Sequence, residues 1–396
     1  MKIAVLLAAP WIPGSVDMTE YIRILRHLGH DATLVCLDRA HGQGDFPIQA
    51  ASRAMLESAS FYRNLQLDAA IAFTWIASPH IVSAMKDAGL RVLLRGDSDG
   101  MISVRRFPRQ ALRVRMSATR GFVDRARAIK HWAQRYLIDY QIEDRDRLSC
   151  IDAADVTVLE TAEAARNVVY FLRSCGRTDL ISKVHVVPHF VADDFLTGDV
   201  SLPRHQHVTC IGRWEDAQKN APLLGAAIKI HLSGGAETSF TIIGPEQGRC
   251  EFARLVGKFS QVHYMGPQSP AGVRRSLTSS NVLLSASRWE GAPVVANEAL
   301  ACGATVVGTP IPAFVDICGQ GFGTVARRHS AGALADALGD ELRAWKNGAR
   351  LPADIAAFWR PRLSSAVVVT QLCNLLIGNT SAACEDAATA LDTLVA

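Results

Sequence analysis

Two glutamates, Glu290 and Glu298, stand eight positions apart in the stretch NVLLSASRWEGAPVVANEALACGATVVGTPIPAFVD, residues 281–316. Such a pair can bind hydroxyls, because an ionised carboxylate presents two acceptor oxygens that a vicinal diol, such as a ribose 2′,3′ pair, satisfies together. Two cations earlier in the chain, Arg213 and Lys219 in CIGRWEDAQKNAPLL, have the complementary capacity. Aimed at a diphosphate, they would offset the charge that grows on its distal phosphate as a sugar departs. Carboxylates for sugars and cations for phosphates outline a nucleotide-sugar pocket.

These residues need a scaffold that brings them to one edge. The apolar run 282–284 predicts a buried parallel strand, with 285–291 as the loop at its C-terminal end and Gly291 in the turn. The pattern from 294 to 302 predicts a helix stopped by Gly303, and 304–308 predicts the next strand. The N-terminus of that helix would aim its N–H groups at the same crevice, where a phosphate is stabilised by the helix dipole. Pro293 lacks an N–H, so Val294 and Val295 are the expected amide donors. Gly212 closes the strand before Arg213. Gly244 closes another at the same edge, either lining the nucleobase pocket or serving as an ordinary turn glycine.

Composition bounds the alternatives. At 396 residues the length suggests two or three domains, and 49% hydrophobic with 20% charged residues describes a globular α/β protein. No apolar run reaches the length of a membrane span, and the opening KIAVLLAAPWIPG lacks the pattern of an export signal, so a cytoplasmic protein is expected. Nine scattered cysteines without zinc spacing suit a reducing compartment. A net charge of +4 is too mild to imply nucleic acid, and none is expected.

Strands are predicted at 2–7, 31–37, 69–73, 90–94, 151–159 and 184–187, alternating with helices, which makes the N-terminal half doubly wound. A linker is expected over 198–207. Beyond it HVTCIGR, TSFTIIG, QVHYMG, NVLLSAS and TVVGT read as five strands of a second parallel sheet. The domains expected are 1–200, 201–360 and a C-terminal helix and tail, 361–396.

The string S-x-x-E-G-x-P-x-x-x-x-E-A-x-A-x-G-x-x-V-V-x-T resembles the E-x7-E signature of retaining glycosyltransferases of family 4. Three other segments carry the likeness further. AAPWIPGSVDMTEYIRILRHLGHDATLV resembles the family's opening, with Gly14-Ser15 for its Gly-Gly. PHFVADDF resembles its P-N-G-V-D-x-x-x-F hinge, with His189 and Phe190 for Asn-Gly. Phe358-Trp359 and the helix after it resemble the last segment, which crosses back onto the N-terminal domain. The resemblance implies a GT-B fold, two doubly wound Rossmann-like domains with parallel sheets facing a central cleft. It implies a hexosyltransferase acting with retention on a nucleotide-diphosphate sugar and an acceptor hydroxyl, without cofactor or metal. Glu290 would then contact the donor hexose and Glu298 the ribose, while Arg213 and Lys219, in the family's G-R-x(n)-K-N pattern, hold the diphosphate. A non-catalytic GT-B binding protein and a GT-B sugar-nucleotide epimerase stay open as alternatives.

Arg95-Gly96-Asp97-Ser98-Asp99 follows a predicted strand of the N-terminal sheet. The D-x-D form suits a hard cation, but the donor motifs lie in a second sheet, so no metal is expected. Many family members carry a His near this point, and here none occurs between His80 and His131. Asp97 or Asp99 with Arg95, and Gly14 in the opening turn, are the expected acceptor-side residues, with a self-satisfied Asp turn as the alternative.

Between 101 and 150 there are twelve Lys or Arg against five acids. The segment 104–147 interleaves them with Phe107, Leu112, Val114, Phe122, Trp132, Tyr136 and Leu137 at partly helical spacing. It reads either as a surface that rests on an anionic membrane at its inner face, where a lipid-linked acceptor would be found, or as a solvated Arg face on a packed helix.

Overall fold

Apolar runs with no polar alternation become the strands of two parallel sheets, because such strands are covered on both faces. The computed structural model describes residues 1–10, 16–38, 45–73, 78–96, 98–117, 119, 121–201, 204–245 and 251–378. The first sheet contains Lys2–Leu7 (β1), Asp31–Leu37 (β2), Ile48–Ala51 (β3), Ala69–Phe73 (β4), Arg91–Gly96 (β5), Val156–Leu159 (β6) and Val184–Val186 (β7), in the order β3-β2-β1-β4-β5-β6-β7. The second contains His207–Ile211 (β8), Ser239–Ile243 (β9), Val262–Gly266 (β10), Val282–Ser285 (β11), Thr305–Gly308 (β12) and Gly323–Val325 (β13), in the order β10-β9-β8-β11-β12-β13. Strand order reverses between β1 and β4 and again between β8 and β11. Such a switch point opens a crevice at the C-terminal ends of its two strands.

The chain divides into two units, residues 1–188 together with the helix from Ser365, and residues 189–364. In the first, the core gathers Val35, Ala70, Ala72, Val92 and Leu94 of the sheet with Val82, Met85, Val168 and Leu172 of the covering helices. The helix Ala162–Ser174 begins where the Thr161 hydroxyl accepts the Ala164 N–H at 3.1 Å, an N-cap that satisfies one of its orphan donors. The C-terminal helix Ser365–Ile377 lies against the helix Val16–His27 and β5, and Ser365 Oγ donates to Glu20 Oε1 at 2.8 Å.

In the second unit, alternation along β11 sends Val282 and Leu284 to one face of the sheet and Leu283 to the other. One face is covered by Leu224, Ile228, Leu334 and Leu338, the other by Ala299, Leu300, Phe314 and Trp359.

Several sequence expectations shift. The boundary between units falls at Pro188/His189 rather than at 200/201. The expected linker, 198–207, belongs to the second unit: the Arg204 guanidinium donates to the carbonyls of Ser280 and Cys302, the latter at 2.6 Å, and just before it Val191 and Phe195 are core residues. Only Val156–Leu159 of the expected strand 151–159 is a strand, because Cys150 and Ile151 are buried on the inner face of the preceding helix. A short apolar run does not by itself separate the end of a buried helix from a strand. β3 and β13, of four and three residues, escaped the sequence reading.

Candidate functional site

The site is assembled at the switch point of the second sheet. β8 ends at Ile211, and Gly212 donates its N–H to Ile243 O at 3.1 Å, which holds the ends of β8 and β9 together. The chain then makes a loop over Arg213–Asn220. Asp216 organises it, accepting the N–H of Lys219 on its carbonyl at 3.0 Å and the N–H of Gln218 on Oδ1 at 3.1 Å. Asn220 sits in the left-handed region at φ 55°, which its short polar side chain tolerates, and starts the helix Ala221–Ser233. That loop is clamped to the one following β11. Arg288 N–H donates to Gln218 O at 2.9 Å and its Nη2 to Asn220 Oδ1 at 2.6 Å, while Thr309 Oγ1 donates to Ser287 O.

At the join of the two loops lies Glu290. Its side chain is 7% exposed, and Oε1 accepts from Lys219 Nζ and from Ser287 Oγ, both at 2.6 Å. Oε2 accepts from Gln218 Nε2 at 3.0 Å, and the same amide donates to Trp289 O at 2.8 Å. A buried carboxylate is costly unless its lone pairs are met, and here three donors from two loops meet them. Glu290 is thereby fixed in orientation. Gln218 and Ser287 escaped the sequence reading. Their signals were position alone, one residue before Lys219 and three before Glu290.

Glu290, Lys219, Arg213 and Gly212 form part of the wall of a cavity of about 460 Å³, with Ile243, Gly244 and Pro245 on the β9 side and Pro293, Val294 and Val295 at the helix end. Arg213 is two-thirds exposed, its Nη2 3.2 Å from Asp216 Oδ2. Gly244 lies at φ +124°, and a Cβ there would stand 1.8 Å from Gly212 O. Only glycine permits this approach. Its frame is rigid: Tyr264 OH donates to Gly244 O at 2.8 Å and Trp214 Nε1 to Ile243 O at 2.9 Å.

The helix Val294–Ala301 does point its N-terminus at this cavity, with one correction to its donors. Pro293 has φ −79° and ψ 80°, an inverse γ-turn, and Val294 N–H donates to Ala292 O at 3.0 Å. The helix end therefore offers the amide of Val295 rather than that of Val294. Gly303, at φ +74°, ends the helix as expected, with Gly303 N–H to Leu300 O and Ala304 N–H to Ala299 O, both 2.9 Å. Glu298, half-buried and fifth in the helix, is not among the residues lining the cavity, and neither is Gly291, although its neighbours Glu290 and Ala292 are.

The residues expected on the acceptor side belong to the first unit. Arg95 is a correction. β5 extends two residues past the expected end, so the side chain enters the protein with no exposure. Its Nη1 donates to Val187 O at 2.6 Å and Nη2 to Pro188 O at 2.8 Å, with Glu160 Oε1 at 3.4 Å. It ties β5 to the end of β7 and does not face a substrate. Asp99 is half-buried and closes its own turn, Oδ1 accepting from Met101 N–H at 3.1 Å and Oδ2 from Gln110 Nε2 at 3.3 Å. Burial pushes its carboxyl above the usual range, against the pull of those bonds. Asp97 and Gly14 lie outside the described residues.

Comparison with known proteins adds to this geometry. The family model described as Glycosyl transferases group 1 matches residues 205–343, a stretch that includes every residue of the cavity wall. Among curated proteins none matches the sequence. Solved structures similar to this chain include HepE from Anabaena in complex with UDP (TM-score 0.67, 13% identity, 96% of this chain and 100% of that one). Others are the lipopolysaccharide outer core galactosyltransferase WaaB (0.65, 16%, 96% and 99%) and sucrose-phosphate synthase from Thermosynechococcus elongatus (0.61, 14%, 96% and 99%). The fold is of the GT-B kind, two Rossmann-like units each built on a parallel sheet, and the matched stretch lies within the unit that holds the cavity.

Proposed function

We propose that the protein is a glycosyltransferase that moves a hexose from a nucleotide-diphosphate sugar to an acceptor hydroxyl, with retention at the anomeric carbon. The observation that carries this reading is the Lys219–Glu290 pair, 2.6 Å apart in the wall of a cavity shared with Arg213 and a helix N-terminus. A diphosphate needs positive charge and N–H donors. Arg213, Lys219 and the amide of Val295 supply them. A hexose needs fixed acceptors for its hydroxyls, and Glu290, locked by Ser287 and Gln218, supplies one. The nucleoside fits against Gly212, Gly244 and Pro245, where the two glycines let a flat base approach the backbone beside the proline ring.

In the transfer step the bond from the anomeric carbon to the diphosphate oxygen breaks, the acceptor oxygen takes its place, and the acceptor's hydroxyl proton passes to the departing diphosphate. Charge grows on the distal phosphate as this happens, and Arg213, joined by Lys219 once it has turned from Glu290, favours the transition state over the bound substrate. No metal or cofactor enters the proposal. Glu298 is proposed to reach the ribose hydroxyls once a nucleotide is bound, although it stands off the cavity as the structure has it. Retention rests on the resemblance of the motif string to family 4 enzymes, and Asp97 and Asp99 remain the proposed acceptor-side carboxylates.

The experiment is a panel of UDP-, GDP-, ADP- and TDP-sugars. The matching donor raises the melting temperature, since a ligand of the folded state stabilises it, and its nucleoside diphosphate is released on adding acceptor. Lys219→Met and Glu290→Gln abolish the release. Undiminished turnover in both variants overturns the assignment, and a stabilised protein that never releases nucleoside diphosphate supports a binding protein instead.

A further inference from the structure

Residues 122–153 form one unbroken helical rod, Phe122–Gln134, a π turn at Arg135–Asp139 and Tyr140–Ala153. Ala128, Asp144, Cys150 and Ile151 face inward. Outward it carries Phe122, Val123, Ile129, Leu137, Ile138 and Ile142, each between 48% and 85% exposed. The π turn adds a residue to its winding and so shifts the phase of the helix; Leu137 and Ile138 both lie outward in it, one turn before Ile142. Isolated exposed aliphatics are ordinary, but a row of six on one rod marks a contact surface.

The exposed charges around that row are mostly cationic. Arg125, Arg127, Lys130 and Arg145 are exposed along the same rod, and Arg105, Arg109 and Arg113 are exposed on the segment before it. Most of the rod's acids are held: Asp124 lies 3.9 Å from Arg127, Asp139 accepts from Gln134 Nε2 at 3.3 Å, Glu143 is held by Arg135 at 2.6 Å and by Arg147 at 3.3 Å, Asp144 accepts from Ser103 Oγ at 2.9 Å and Asp152 pairs with Arg177 at 3.0 Å, while Asp146 is half-buried. Among the described residues no helix is long and apolar enough to cross a membrane. A straight row of aliphatic tips interleaved with long cationic side chains suits a plane with an apolar interior and a negative rim.

We propose that this rod docks the protein on the surface of an anionic phospholipid bilayer. Leu137, Ile138 and Ile142 enter the headgroup boundary while Arg125, Arg127, Lys130 and Arg145 meet lipid phosphates. The proposal does not depend on the transfer reaction, because it concerns a different unit from the cavity and its readout is binding alone.

The full-length protein is spun with vesicles of phosphatidylcholine alone and of phosphatidylcholine mixed with phosphatidylglycerol, at low and at physiological salt. It should pellet with the anionic vesicles only, less so as salt screens the cations. Combining Arg125→Gln, Arg127→Gln, Lys130→Gln and Arg145→Gln should weaken binding more than about a hundredfold, at roughly fivefold per cation near such a surface. Combining Leu137→Gln, Ile138→Gln and Ile142→Gln should remove the part that salt does not screen. Both variants should melt as the parent does, since the positions are exposed. Failure to pellet with anionic vesicles, equal binding to neutral ones, or undiminished binding by the charge variant overturns the proposal. So does a protein that ignores vesicles but self-associates through the row, as judged by its dispersal in the triple variant.

Discussion

Lys219 Nζ and Glu290 Oε1 meet at 2.6 Å across 71 positions of sequence. The cation that a diphosphate would require is therefore already neutralised within the protein. Binding a nucleotide has to exchange one negative partner for another, and Ser287 and Gln218 are placed to hold the carboxylate when the lysine turns away.

Replacing Lys219 by Met should cost stability as well as turnover. It leaves a carboxylate 7% exposed without its cation, which costs toward the low end of about 3–5 kcal/mol because two other donors remain. Transfer should fall at least about a hundredfold. Adding Glu290→Gln to Lys219→Met should restore much of the urea midpoint and none of the transfer. A double variant as unstable as Lys219→Met alone would show that the pair is not the source of the loss.

Gly244→Ala should be among the harsher single substitutions in the second unit. The added methyl would stand 1.8 Å from a backbone oxygen at φ +124°, a loss of at least about 2 kcal/mol from strain alone. Chemical unfolding measures the loss, and nucleotide binding should weaken with it, because the ends of β8 and β9 must part to admit the methyl.

Arg95 separates structure from chemistry. Arg95→Lys keeps the charge but cannot reach Val187 O and Pro188 O together, so it should not restore the stability that Arg95→Ala removes. In either variant the Michaelis constant for donor should stay within about twofold at temperatures where the protein is folded, and donor affinity collapsing in Arg95→Lys would reopen its place in the site.

Acid should weaken the second unit through two histidines. Burial depresses the imidazoles of His207 and His231 below the ordinary value of 6.5, and for His207 the nearby His263 adds to the effect. Their Nε2 atoms lie 2.9 Å from Thr241 Oγ1 and Thr238 Oγ1. A depressed folded value means that the unfolded chain binds the proton first, so stability is full above about 6.5 and falls as pH drops below it. Urea titrations between pH 7.5 and about 5 should show the decline, and His207→Gln with His231→Gln should flatten it. A parallel decline in the double variant would assign the acid sensitivity elsewhere.

Much of this was legible in the chain. Parallel strands buried on both faces read as apolar runs, so β1, β2, β4, β8, β9, β11 and β12 could be located, and the glycines and prolines between them marked the turns. The site was legible in part, because Glu290, Lys219 and Arg213 carry charge where a sheet edge demands an explanation. Gln218 and Ser287 were not legible, since a neutral polar residue in a loop is ordinary until its partner across 72 or 3 positions is known. Arg95 misled for the opposite reason: a charge after a strand suggests a surface, and only the extra length of β5 turned it inward. The amide of Val294 was lost to a γ-turn that no residue type announces.

The chain leaves the first unit after Pro188 and returns at Ser365 to place its final helix against residues 16–27 and β5. During synthesis the first unit therefore waits. Its sheet is complete once β7 has emerged, yet the seam on Val16–His27 stays uncovered until the whole second unit has been made. The second unit, an uninterrupted stretch from 189 to 364, can close as soon as its last residues appear. The helix Ser365–Ile377 is the stitch that finishes the older half last.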